Sequence, residues 1–155
     1  MKNLLTTTLC MAAAGFILTG CGPDKPGPGS RGPIRIEPPP LNRLMDVALD
    51  ATTELLAHDS ITAFNAKNSR VPTLEWGPVR NSTRARIQVE QVTGRVEDAL
   101  INSGLVKVVH PNAVLTRPPD FFLDGLIMHQ DDTFSFQLRM NDKNGRVWGR
   151  TLDVQ

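Results

Sequence analysis

The chain is poor in the residues that carry most protein chemistry. It has two cysteines, Cys10 and Cys21, no tyrosine and only 5% aromatic residues in 155 positions. So few thiols exclude a disulfide framework and a cysteine-ligated zinc centre, whose ligands come in closely spaced pairs. Charge of either sign is not in excess: 17 basic residues face 16 acidic ones. That balance argues against a nucleic-acid partner, which demands a clustered basic surface. The three histidines, His58, His110 and His129, stand at no metal-ligand spacing, and Ser82 has no base near it in sequence. No glycine-rich phosphate loop follows a strand. These absences predict a protein that is not an enzyme and takes no metal, cofactor or small-molecule substrate.

One apolar run is present, and it is at the start. Lys2 precedes a nearly uncharged stretch from Leu4 to Leu18 that is rich in Leu, Ala and Thr. A charged head followed by a short apolar core reads as a secretory signal, since a membrane span needs about 20 apolar residues. It ends in Leu18-Thr19-Gly20-Cys21, which matches the bacterial lipobox: an aliphatic residue, two small ones and the cysteine that takes the lipid. The small side chains fit a narrow protease site, and the Cys21 thiol is the nucleophile that is acylated. Cys10 then leaves with residues 1–20, and no thiol remains for catalysis. Several acyl chains on one cysteine, palmitate among them, anchor a protein stably, where a single chain holds it only marginally. Gly22 follows Cys21. With no aspartate there to retain the protein at the inner membrane, the expected location is the outer membrane, on its periplasmic side.

From Cys21 to Pro40 proline and glycine dominate. Such a segment buries too little to offset its ordering entropy, so residues 21–40 are expected to be a disordered tether. In a polyproline-like state at ~3.1 Å per residue it reaches about 60 Å. The near-neutral remainder, residues 41–155, is enough for a single core.

Hydrophobic periodicity outlines that domain. Leu44, Ala48, Ala51 and Leu55 recur at spacings of four, three and four, which predicts a helix from Leu41 to about Ser60 with Asn42 as its N-cap. Asp46, Asp50 and Glu54 form its charged face. A strand is expected over Val71–Val79, interrupted by Gly77-Pro78, with an edge or bulge there. Arg80–Arg86 is a polar loop. A second helix runs from about Ile87 to Ser103, with Val89, Val92, Val96 and Ala99 inward and Gly104 as its C-cap. Leu105–His110 is a short strand, Asn112–Pro119 a loop, and Phe121–His129 a strand without strict alternation. Thr133–Asn141 turns Phe134, Phe136, Leu138 and Met140 one way and Ser135, Gln137 and Arg139 the other. Asp131-Asp132 marks one hairpin tip, and Asp142-Lys143-Asn144-Gly145 leads through a second into the last strand, Arg146–Val154. The fold class read from this order is α+β: a small, mainly antiparallel sheet with helices packed against it.

Five residues stand out as binding candidates. Arg80, Arg84 and Arg86 lie on one short loop, where guanidinium forks suit carboxylates of a partner. Trp76 and Trp148 are the others, because tryptophan anchors interfaces.

From Pro72 onward the pattern resembles the LpoB family, lipoprotein activators of bifunctional penicillin-binding proteins. The residues that carry the resemblance are Leu74-Glu75-Trp76-Gly77-Pro78-Val79-Arg80-Asn81-Ser82-Thr83, then Val96 to Val109, then Phe121-Phe122-Leu123-Asp124-Gly125-Leu126-Ile127. Phe136-Gln137-Leu138-Arg139-Met140 and the hairpin Gly145-Arg146-Val147-Trp148 complete it. The resemblance implies a fold like the N-terminal domain of TolB. It also implies that the domain docks on a class A penicillin-binding protein and stimulates glycan polymerisation and crosslinking. The alternative from another class is a structural lipoprotein of an envelope secretion or assembly complex of the CsgG type.

Overall fold

The computed structural model describes residues 36–155. The signal, Cys10, Cys21 and the tether up to residue 35 lie outside the described residues.

Helix α1 spans Leu41–Leu56, and its stripe Leu44, Ala48, Ala51 and Leu55 is fully buried, as the spacing predicts. Thr52 is buried with it, because its Oγ1 donates to the Ala48 carbonyl at 2.7 Å and so brings no unsatisfied hydroxyl inside. Asn42 is not the cap. The helix starts at Leu41, as expected, so the cap position falls on Pro40, with no side-chain cap bond; Leu41 is already helical and packs on the core. Packing begins earlier still, at Ile36, which also rests against the core.

The first helix also stops earlier than expected. His58 leaves helical geometry, and its side chain accepts from the Ser60 N–H at 3.3 Å. That cap starts a separate helix, α2 (Asp59–Asn68), over a stretch where the periodicity predicts no element. Only Ile61 of α2 is fully buried, so its apolar stripe is too thin to stand out as a period. Asp59 in its first turn and Lys67 in its last oppose the helix macrodipole.

The remaining elements are β1 (Thr73–Trp76), β2 (Arg80–Asn81), α3 (Val89–Ser103), β3 (Lys107–Val109), β4 (Phe121–Gln130), β5 (Thr133–Asp142) and β6 (Gly145–Val154). Gly104 ends α3 at φ 65, the left-handed cap expected of it. Asp131 and Asp132 at φ 50 and 61 form the tip between β4 and β5, where short side chains tolerate that conformation. In the next turn the Asp142 carboxylate accepts from the N–H groups of Asn144 and Gly145.

The sheet is mixed, which corrects the expectation of a mainly antiparallel one. Its order is β3-β1-β4-β5-β6, with β2 pairing on β4. β1 pairs in parallel with both β3 and β4, β2 pairs in parallel with β4, and only the β4-β5-β6 meander is antiparallel. The physical reason is the crossover. A strand–helix–strand unit brings the chain back in its original direction, so α3 makes β3 parallel to β1. Nor is β1 an edge: it lies between β3 and β4, and it ends at Trp76, before Pro78, which has no N–H to give a ladder. β4 alternates after all, with Phe121, Leu123, Gly125 and Ile127 buried.

All three helices contribute to one core on one face of the sheet. Phe134, Phe136, Leu138 and Met140 of β5 point into it. Trp76 is its largest member, 1% exposed. It fits because β4 offers Gly125 beneath it. A Cβ on Gly125 would lie 2.9 Å from Val79 Cγ2 and 3.1 Å from the Trp76 ring. The expected cost of Gly125→Ala is therefore that of an overpacked core, about 1–3 kcal/mol, measured as a lower denaturation midpoint at unchanged slope. An unchanged midpoint contradicts the close packing.

The end of α2 is fastened to the start of β4. Arg70 makes two bonds of 2.7 Å to the Asp120 carboxylate, which also accepts from the Thr73 N–H at 2.8 Å. The guanidinium lies 4.7 Å above the Phe64 ring, and that ring meets Phe121 edge-on at 5.6 Å. Hydrogen bonds from Arg70 hold the Asp120 carboxyl below the usual carboxylate range, against the desolvation that pushes it up. A carboxyl lowered in the folded state stabilises fully above its ordinary value, 3.8, and loses that contribution as pH falls through the lowered one. Asp120→Asn is expected to lower Tm at pH 7 by on the order of 5 °C. Thermal melts across pH should show that gap closing below about pH 4; a gap that stays constant into acid argues against the ion pair.

Candidate protein-docking site

The arginine loop hangs from the core through short, local bonds. After Trp76 the chain turns back over α3, where the Val79 N–H donates to Thr93 Oγ1 at 3.0 Å. Thr93 in turn donates to the Val89 carbonyl at 2.8 Å, so one hydroxyl links helix and loop. Arg80 and Asn81 then form β2, in register with Leu126 and Ile127 of β4. The Arg80–Arg86 segment is thus part strand rather than all loop.

Asn81 builds the turn that follows. Its Oδ1 accepts from the Thr83 N–H at 2.9 Å and from Thr83 Oγ1 at 2.8 Å, while its Nδ2 donates to the Ala85 carbonyl at 2.9 Å. Ser82 donates twice to the Ile127 carbonyl, from its N–H at 3.0 Å and its hydroxyl at 2.8 Å. Ala85 is buried at the base. The Asn-Ser-Thr stretch therefore acts as an Asx turn, a side-chain substitute for backbone bonds. What it leaves outside is charge: Arg80, Arg84 and Arg86 are all exposed.

Arg80 shares a sheet face with residues no helix covers. Its Nη2 is 3.8 Å from Asp124 Oδ1, a long exposed pair worth little, so the guanidinium is not committed. Arg139 stands directly opposite Asp124 in the β4–β5 register, and Asn141 Nδ2 donates to Asp124 Oδ2 at 3.4 Å. Leu126 and Met128 lie half-buried on the same open face. Arg139 is legible as outward-facing from alternation, but not as flanking the same aspartate, Asp124, as Arg80. That proximity depends on β2 pairing with β4, and a two-residue strand leaves no period to read.

The two tryptophans fall differently. Trp76 is corrected as a surface candidate: it is core, turned inward by its register with Leu123, and packs over Gly125. Its Nε1 is buried without a hydrogen-bond partner. Trp148 is half-buried on the helical side, opposite Met140, with its ring 6.4 Å from His58. Cys21 lies outside the described residues. Among the described residues no group of three or more His, Cys, Asp or Glu is placed to hold a metal ion. None of their helices is long and apolar enough to cross a membrane.

Comparison with known proteins finds likenesses for this arrangement. Residues 44–117 match the family model described as peptidoglycan-synthase activator LpoB. No curated protein matches in a sequence search. Among solved structures, the LpoB C-terminal domain from Escherichia coli superposes with a TM-score of 0.57 at 14% identity, over 72% of this chain and 98% of that one. The corresponding domain from Salmonella enterica gives 0.54 at 13%, again over 72% and 98%. The NMR structure of E. coli LpoB gives 0.50 at 12%, over 94% of this chain and 83% of that one. Over residues 44–117 the sequence thus matches the LpoB family model, and the fold is like that of the LpoB C-terminal domain.

Proposed function

We propose that this protein is an outer-membrane lipoprotein, acylated at Cys21, that binds a class A penicillin-binding protein and activates it without catalysing a reaction itself. The observation that carries the reading is the match to the peptidoglycan-synthase activator family within a domain of LpoB fold. Arg80, Arg84 and Arg86, with the open face beside Arg80, are the proposed contact. A rigid loop that presents uncommitted guanidiniums loses little entropy on meeting carboxylates. The likeness to the TolB N-terminal domain belongs to the same proposal.

The domain boundaries bear on the mechanism. Ile36 already packs on the core, so the proposed tether is counted from Cys21 to residue 35. At ~3.1 Å per residue its reach is about 45 Å. The synthase surface must come within that distance of the anchoring membrane.

Two experiments test this. The lipid-free chain is expected to bind the periplasmic region of a class A penicillin-binding protein from the same cell and to raise its polymerisation rate. The triple variant Arg80→Ala, Arg84→Ala, Arg86→Ala should bind at least tenfold more weakly, about 1.4 kcal/mol, at unchanged Tm. No binding by the native chain at tens of micromolar overturns the function; equal binding by the variant overturns the site alone. In cells, Cys21→Ala should leave an unlipidated precursor with altered fractionation. Unchanged outer-membrane fractionation contradicts the anchor.

A further inference from the structure

A groove of about 770 Å³ opens at the other end of β4, between α2, the segment before Asp120 and the β5–β6 turn. Its floor is apolar: Phe64, Pro118, Pro119, Phe122 and Val147 line it. Phe122 is 36% exposed there. Val147 has no residue opposite it, because the β5–β6 register shifts between Met140 and Asn141.

The rim is unequally charged. Lys67, Arg117 and Lys143 line the groove, as do Asp120 and Asp142. Both acids are occupied. Asp120 is held by Arg70 and the Thr73 N–H. Asp142 accepts from the Asn144 and Gly145 N–H groups. None of the three cations has an ion-pair partner among the described residues, although the charge of Arg117 helps to lower Asp120. The groove therefore presents three unpaired positive charges around an aromatic and proline floor.

We propose that this groove is a second docking site, for an extended acidic peptide segment of a partner protein that carries apolar side chains. Charge complementarity selects the acidic character, and the floor selects the apolar one. A bare phosphate or a lipid headgroup would use the rim and leave the floor unfilled. The site is separate from the arginine loop. Phe122 and Ile127 are five residues apart on β4, about 17 Å at strand rise. It requires neither the anchor nor the identity of the synthase, so its failure and that of the proposed function are distinguishable.

The test pans a phage-displayed random dodecapeptide library against the lipid-free chain. Enriched peptides are expected to be acidic with aromatic or aliphatic residues interspersed. The strongest should bind Lys67→Glu, Arg117→Glu, Lys143→Glu at least tenfold more weakly. Lys67 favours its own helix end, so the milder triple change to Gln is measured beside it and should also weaken binding while keeping Tm. Enrichment of neutral or basic peptides, no enrichment at all, or binding unaffected by the Gln variant overturns the proposal. So does groove-dependent binding to phosphatidylglycerol vesicles without any peptide selected.

Discussion

The close approach of Trp76 to Gly125 is the constraint on which the rest of the domain depends. A large indole can be fully buried between two adjacent parallel strands only if the neighbouring strand yields a side chain. With Trp76 seated there, Val79 is pressed into the same corner, and Thr93 of α3 takes its backbone N–H. The chain can then leave β1, pass over Gly125 and rejoin β4 three residues further on as β2. The arginine loop begins at that point. Its direction is set by a packing contact in the core, not by any residue in the loop itself.

Electrostatics divides the surface into used and unused charge. Arg70 and Asp120, Glu54 and Arg150 connect elements distant in sequence. The first pair is partly buried and bidentate, so it carries the larger share; the second is exposed and weaker. Arg84, Arg86, Lys67 and Lys143 have no such partners among the described residues. In a protein of near-zero net charge, unpaired cations gathered at both ends of one strand are a local property that a net charge of +1 does not reveal.

Much of this was legible in the sequence, and the exceptions have physical causes. The α1 stripe, the alternation of β5, the Gly104 cap and the turn acids at 131–132 all follow from local rules that tertiary contacts reinforce. The parallel pairing was missed because strand direction is fixed by a crossover, which no local pattern encodes. Helix α2 was missed because it buries one residue fully and begins on a histidine cap rather than a stronger one. Trp76 was offered as a surface anchor because composition cannot tell an interface tryptophan from a core one. Only the glycine under its ring, some fifty residues later, settles that. The shared flanking of Asp124 by Arg80 and Arg139 is hidden for a like reason, a strand pairing too short to predict.

The first helix packs against the last two strands and against α3, and Glu54 of α1 reaches Arg150 of β6 at 3.0 Å. The two ends of the domain thus complete one another. During synthesis, α1 emerges about a hundred residues before the last strand it packs against, and a lone helix of that length is marginal in water. The packing of α1 is complete only once β6 is present, and contacts at such sequence separation slow folding. A chain cut short within β6 loses the contacts that α1 makes there, which makes incomplete copies targets for proteolysis rather than weak versions of the whole.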